Sequence, residues 1–303
     1  MSEPTRAPSP ERILLRLDWH VLRRLDGMLQ GDYRSLFRGS GLDFADLREY
    51  QALDDVRHID WNVTARLNTP YVRQYLEERE ITAWFLLDLS PSTEFGPPTH
   101  QKRTVLVDFV ALIARLLTRR GNRVGAVCFT DRVERTVPLG FSRNHVLRLI
   151  TDVLRTQPAR TTALTDLKPL LQHALRVLKR RSLVFIVSDF ISAPGWEPSL
   201  RLLAHRHDVV AVRLYDPREH ELPDVGLVWL QDAETGEQVL VDTSDRRFRQ
   251  RFAQLIAERE AALKRAFQWS GVEVLPLSTE QDLARAVVNF ALRRKRRRVK
   301  VGA

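Results

Sequence analysis

A chain of 303 residues with 44% hydrophobic side chains can build one large domain or two ordinary ones around a sizeable core, which excludes global disorder. No apolar run approaches the roughly 18–20 residues that span a bilayer, and Met1-Ser-Glu-Pro-Thr-Arg-Ala-Pro8 lacks the apolar core of a signal peptide, so a cytoplasmic protein is expected. The net charge of +10 resembles that of a nucleic-acid binder, yet seven positive charges lie in Arg293-Arg-Lys-Arg-Arg-Arg298 and Lys300, leaving only three for the rest.

Residues up to about Pro10 read as disordered. From Glu11 to Gln30, Ile13, Leu14, Leu17, Val21, Leu22, Leu25 and Leu29 recur at helical spacing and predict an amphipathic helix. Arg38-Gly-Ser-Gly41 breaks regular structure, and a segment dense in charge and aromatics follows without a clean period. Residues 1–80 read as an N-terminal extension packed on a main domain at 81–293, with a basic tail at 294–303.

From Ile81 onward strands and helices alternate. Ile81–Leu87 reads as a buried strand, Lys102–Arg119 as a helix, and Arg123–Phe129 as a strand. Arg132–Val137 is a short strand returning antiparallel through a turn at Thr130-Asp131. Helices are expected at Arg143–Arg155, Asp166–Lys179 and Trp196–His205, and strands at Leu183–Val187 and Val209–Leu214. Val225–Leu230 and Gln238–Val241 flank the hairpin-like turn Glu234-Thr-Gly-Glu237. Ser244 is the expected cap of a long helix to about Trp269, with a last strand at Val272–Leu275 and a last helix at Thr279–Arg293. Such alternation predicts an α/β fold with a mostly parallel sheet covered on both faces. Cys128, the only cysteine, lies in the apolar run Val124–Phe129 and reads as a buried thiol that can form no internal disulfide.

The most informative peptide is Asp88-Leu-Ser-Pro-Ser92. It sits where a central strand ends and its loop begins, the edge at which open α/β sheets bind ligands. One carboxylate and two hydroxyls there offer only hard oxygens, which suit Mg²⁺ or Mn²⁺ better than zinc or copper. Thr165, in the loop before the helix at Asp166, and Asp189, after the strand Leu183–Val187, would join Asp88, Ser90 and Ser92 if their strands are parallel neighbours. An open position on the ion could then accept a partner's carboxylate. Each residue also has a plainer role: Ser90 or Ser92 could cap the next helix, Thr165 could cap its own, and Asp189 could pair with an arginine. Asp54, Asp55 and Asp60 read as salt-bridge partners of nearby arginines, and His205-Arg-His207 lacks the companions of a zinc site.

Other chemistries fit less well. A haloacid-dehalogenase phosphatase needs a second Asp where Ser90 stands. Neither a Gly-x-x-x-x-Gly-Lys-[Ser/Thr] loop nor a Gly-x-Gly-x-x-Gly turn occurs, which argues against an ATPase or a dinucleotide enzyme.

Asp88-Leu-Ser-Pro-Ser92, Thr165 and Asp189 resemble the metal-ion-dependent adhesion site of von Willebrand factor A domains, over about residues 81–215. Upstream, Gly41-Leu-Asp-Phe-Ala-Asp-Leu-Arg-Glu-Tyr-Gln51, Asp54-Asp-Val-Arg-His-Ile-Asp-Trp-Asn-Val-Thr-Ala-Arg66 and Glu77-Glu-Arg-Glu80 resemble the bacterial family called domain of unknown function fifty-eight. The resemblance implies a von Willebrand factor A-like, Rossmann-like sheet and a non-enzymatic adaptor. It also implies a MoxR-type AAA+ ATPase as partner and a client protein that bears an acidic residue. In such sites the Ser and Thr hydroxyls bind the metal directly and the carboxylates often act through water. Many relatives carry transmembrane helices that this sequence lacks, so a location peripheral to the membrane would need a partner or the tail. Two other readings stay open: a metal-dependent hydrolase at the same site, and a nucleic-acid or anionic-membrane binder through Arg293–Lys300.

Overall fold

The computed structural model describes residues 9–17, 47–51, 54, 56, 59–73, 81–97, 101–158 and 164–301. Residues 1–37 and 81–303 form one compact unit and residues 38–80 a second. In the second, β1 (Leu47–Glu49) pairs antiparallel with β2 (Tyr71–Arg73), and α2 (Trp61–Leu67) lies between them in sequence. Asp60 accepts a 3.2 Å bond from the Val63 amide at the start of α2 and so acts as a helix cap. Asp54 accepts from the Gln51 amide at 2.8 Å. Asp55, and most of the helix expected after residue 17, lie outside the described residues.

The first unit is built on a six-stranded sheet in the order β10-β7-β6-β3-β4-β5. Its strands are β3 (Thr82–Asp88), β4 (Arg123–Phe129), β5 (Val133–Gly140), β6 (Leu183–Ser188), β7 (Asp208–Tyr215) and β10 (Glu273–Ser278). All pairings are parallel except β4 with β5. Ala83 to Asp88 and all of β6 are buried, which is why these central strands read as continuous apolar runs rather than alternating ones. Trp84 faces Gly125 across the β3–β4 register, and a Cβ at Gly125 would lie 2.9 Å from the indole. The missing side chain is what makes room for that ring against the neighbouring strand.

Helices cover both faces. On one, α1 (Pro10–Arg16), α3 (Lys102–Thr118), α4 (Arg143–Arg155) and α8 (Leu283–Val301) pack around Phe85, Phe109, Val187 and Leu214. On the other, α5 (Lys168–Val177), α6 (Glu197–Arg206) and α7 (Arg246–Ser270) pack around Trp84, Leu86, Ile186 and Phe267. The α/β architecture expected from the sequence, a mostly parallel sheet between helical layers, is the observed one. Among the described residues no helix is long and apolar enough to cross a membrane.

Two helix ends differ from expectation. Asp245 rather than Ser244 caps α7, accepting from the Arg247 amide at 2.8 Å. The last helix starts at Leu283, because Thr279 donates its hydroxyl to Asp216 (2.8 Å) while Asp282 receives the Arg285 amide. That helix continues to Val301, so the basic stretch is helical and not a separate tail. Arg294, expected in a solvated patch, is 2% exposed and pairs with Asp208 and, at 2.6 Å, with Glu273.

A hairpin of β8 (Leu227–Gln231) and β9 (Gln238–Asp242) stands apart from the main sheet, with Trp229, Leu227 and Val239 exposed. Thr243 ties its base, donating to the Gly226 carbonyl and accepting from the Val225 amide.

Candidate functional site

The chain after β3 enters α3 on one face of the sheet, while the chain after the adjacent β6 enters α6 on the other. The carboxyl ends of β3 and β6 therefore flank a topological switch point, where doubly wound sheets open a crevice. Asp88 is the last residue of β3 and Ser188 the last of β6. The Ser188 hydroxyl donates to Asp88 Oδ2 at 2.6 Å, and the Ser90 amide donates to Oδ1 at 3.0 Å. The turn Pro91–Glu94 brings Ser90 Oγ and Ser92 Oγ within 3.1 Å of each other.

On the β6 side, Asp189 is aimed by a constrained backbone. Phe190 has φ 58°, a left-handed conformation uncommon for a bulky residue. Its ring is locked against Phe267 at 4.9 Å and Trp196 at 5.7 Å, which holds the turn in place. Within that turn the Phe190 amide donates to Ser188 Oγ and the Ile191 amide to Asp189 Oδ1. The loop carrying Thr165 is stapled to the same turn, since Ala193 N–H donates to the Thr165 carbonyl and Leu167 N–H to Ser192 Oγ.

All five residues singled out from the sequence, Asp88, Ser90, Ser92, Thr165 and Asp189, are buried at this rim. The plainer roles are mostly unfilled. Ser90 occupies the cap position of the short turn but makes no side-chain capping bond, and the residue capping α5 is Leu167 rather than Thr165. Asp189 does form an ion pair, but with Lys102 (2.7 Å) and not an arginine.

Four further residues, Lys102, Glu219, Ser188 and Glu234, enter the network unheralded. Lys102, fully buried at the first turn of α3, bridges Asp189 and Glu219, the latter at 2.8 Å. Its position carried a signal, because a cation at a helix N-terminus opposes the helix dipole and calls for local compensation. Ser188 completes the hold on Asp88. Glu234, from the turn between β8 and β9, accepts from the Ser92 amide (3.3 Å) with one oxygen and from the Thr165 hydroxyl (2.9 Å) with the other.

The electrostatics follow from burial. Desolvation, and then the nearby charge of Asp189, push Asp88 up to about 7, against the pull of its bonds to Ser188 and Ser90. Burial also raises Glu234, with Asp189 adding to the shift and the Thr165 and Ser92 bonds opposing it. Burial works against the charged form of Lys102, but Asp189 and Glu219 outweigh it and hold the ammonium above the usual lysine value. Burial likewise drives the Cys128 thiol up to about 12, consistent with an inert core cysteine.

Among the described residues no group of three or more His, Cys, Asp or Glu is gathered at metal-holding spacing. The donor set here is of another kind, hydroxyl-rich with two carboxylates, and its chemistry fits a small hard cation. Adjacent oxygens of a Mg²⁺ octahedron lie about 2.9 Å apart when the metal–oxygen distance is about 2.0–2.1 Å. Ser90 Oγ and Ser92 Oγ, at 3.1 Å, have that spacing.

The chain matches one family model and several relatives. The family model "Protein of unknown function DUF58" matches residues 46–262. An uncharacterized protein of Mycobacterium tuberculosis is 36% identical over 289 residues, covering 95% of this chain and 91% of the relative. Another, from Mycobacterium avium, is 34% identical over 160 residues, covering 53% of this chain and 94% of the relative. Among solved structures, the conserved hypothetical protein BatB from Bacteroides thetaiotaomicron aligns over 71% of this chain and 99% of its own, at 11% identity and TM-score 0.46. The SpRpn10 VWA domain aligns over 70% and 95%, at 13% identity and TM-score 0.38.

Proposed function

We propose that this chain, which belongs to the DUF58 family, is a non-enzymatic protein-interaction module whose Asp88, Ser90, Ser92, Thr165 and Asp189 hold Mg²⁺ or Mn²⁺. The observation that carries the reading is the pair of buried hydroxyls, Ser90 and Ser92, at ligand spacing beside an Asp88 carboxylate disfavoured in its charged form. When bound, such a cation would offer a Lewis-acidic position to an acidic side chain of a client. The chain's own residues do the rest. Ser90, Ser92 and Thr165 present hydroxyl oxygens, Ser188 fixes the Asp88 carboxylate, and the Phe190 turn fixes Asp189.

The proposed energy-supplying partner is a MoxR-type AAA+ ATPase, on the strength of the family resemblance, with maturation or remodelling of a client protein or complex as the task. Arg294 is committed to ion pairs within the fold. That weakens a reading in which the basic end leads the function.

Titration calorimetry with Mg²⁺ and Mn²⁺ tests the metal reading. Wild type is expected to bind with measurable heat and Asp88→Ala to show none; equal heats, or none from either protein, would overturn it. Affinity capture with a MoxR-type ATPase encoded in the same organism tests the partner. Loss of capture in Asp88→Ala is expected, and its retention would separate the ATPase contact from the metal.

A further inference from the structure

The turn between β8 and β9 puts one side chain where a client would have to place its own. Every residue from Gln231 to Leu240 is exposed except Glu234, which is 6% exposed. The hairpin therefore stays in solvent and dips a single carboxylate into the rim. The turn is built to aim it. Asp232 Oδ1 accepts the amides of Glu234 (2.9 Å) and Thr235 (2.8 Å). Gly236 closes the turn at φ 73°, a conformation open to glycine, with its amide on the Asp232 carbonyl. Burying a carboxylate near Asp189 costs free energy unless something there receives it. What receives it is the pair of segments that carry the hydroxyl ligands: the Ser92 amide and the Thr165 hydroxyl. Glu234 Oε2 lies 2.9 Å from Thr165 Oγ1, the spacing of two neighbouring oxygens on one small octahedral cation.

We infer that Glu234 is a ligand supplied in cis: it holds the open coordination position, and an acidic client side chain gains that position only when the turn at 232–237 withdraws. This rests on the metal reading above and extends it with a competitor inside the chain. The module is closed by default, and its affinity for a client is the client's affinity for the site less the hold of its own turn. The hairpin is joined to the unit through a short base tied by Thr243, so it can swing without unpairing the main sheet.

Water-proton relaxivity of the Mn²⁺-loaded protein tests this directly, because it counts exchangeable water on the ion. Wild type, Glu234→Ala, Glu234→Gln and Asp88→Ala are compared, with folding of each checked by thermal melting. Glu234→Ala is expected to bind Mn²⁺ about tenfold more weakly and to show relaxivity raised by one additional inner-sphere water. Added glutarate should lower that excess in Glu234→Ala and leave wild type unchanged. Glu234→Gln keeps the turn's shape and should lose affinity through charge alone. If wild type binds Mn²⁺ and Asp88→Ala does not, but both Glu234 variants match wild type in affinity and relaxivity, the cis ligand is overturned and the five-residue site stands. If neither wild type nor Glu234→Ala binds Mn²⁺, both readings fall together.

Discussion

At the amino end of the sheet, Arg294 reaches from α8 to Asp208, the first residue of β7, and to Glu273, the first of β10. At the carboxyl end the ammonium of Lys102 serves Asp189 and Glu219, while Asp88 is held by Ser188 and Ser90 and Glu234 by Ser92 and Thr165. Both ends bury charge and set one cation against two carboxylates, but the carboxyl end adds two more, Asp88 and Glu234, held by hydroxyls and amides. The amino end is a closed ionic clasp that joins the last helix to the sheet. The carboxyl end carries a surplus that stability alone does not require, since a buried carboxylate without a cation is a cost.

Removing each cation is the strongest way to break this contrast. Lys102→Met leaves two carboxylates without their counter-charge, and Arg294→Met does the same at the other end. Each should lose about 3–5 kcal/mol in denaturant unfolding. Saturating Mg²⁺ should restore part of the loss in Lys102→Met and none in Arg294→Met. An equal response would erase the distinction between the ends. Midway between them, Gly125→Ala pushes a methyl to 2.9 Å from the Trp84 ring and should cost about 1–3 kcal/mol, with no difference between metal-free and metal-loaded measurements beyond that of wild type.

The pH response sharpens the contrast further. Asp88 lies at about 7 in the fold against an ordinary value of 3.8, so the folded, metal-free protein holds this proton more tightly than the unfolded chain. Its stabilising contribution is fully present below the ordinary value and is lost as pH rises through the folded one. Melting temperature in a chelator should therefore carry a falling component from about pH 4 to 7 that is absent in Asp88→Asn. Metal affinity should rise over the same window, because the cation displaces that proton. The smallest effect is expected remote from both ends: Asp245→Ala removes the cap of α7, should cost about 1 kcal/mol by chemical denaturation, and should leave Mn²⁺ affinity unchanged.

Much of this scaffold was legible in the chain because burial leaves a local trace. β3, β4 and β6 are buried beyond their first residue, and their apolar runs announce them. The turn at Thr130-Asp131 announced the antiparallel edge. The positions of Asp88, Ser90, Ser92, Thr165 and Asp189 were legible for the same reason, each lying buried at a strand or helix boundary that the apolar pattern already marked. Lys102, Glu219 and Glu234 were not. Lys102 meets Asp189 and Glu219 across 87 and 117 residues, and Glu234 meets Ser92 across 142, so only the closed sheet brings them together. Glu234 in particular sits in a polar turn whose composition is that of any exposed hairpin. Arg294 was misjudged because six consecutive basic residues read as solvated charge, whereas the helical repeat turns Arg294 inward.

The central claim is that three separated segments meet to hold one small hard cation. Anomalous diffraction from crystals soaked in Mn²⁺ tests it most directly. The account predicts a single strong peak within about 2.0–2.3 Å of Ser90 Oγ and Ser92 Oγ, with Thr165 and Asp189 on the same ion directly or through one water. A peak elsewhere on the molecule, with none at this rim, would contradict it.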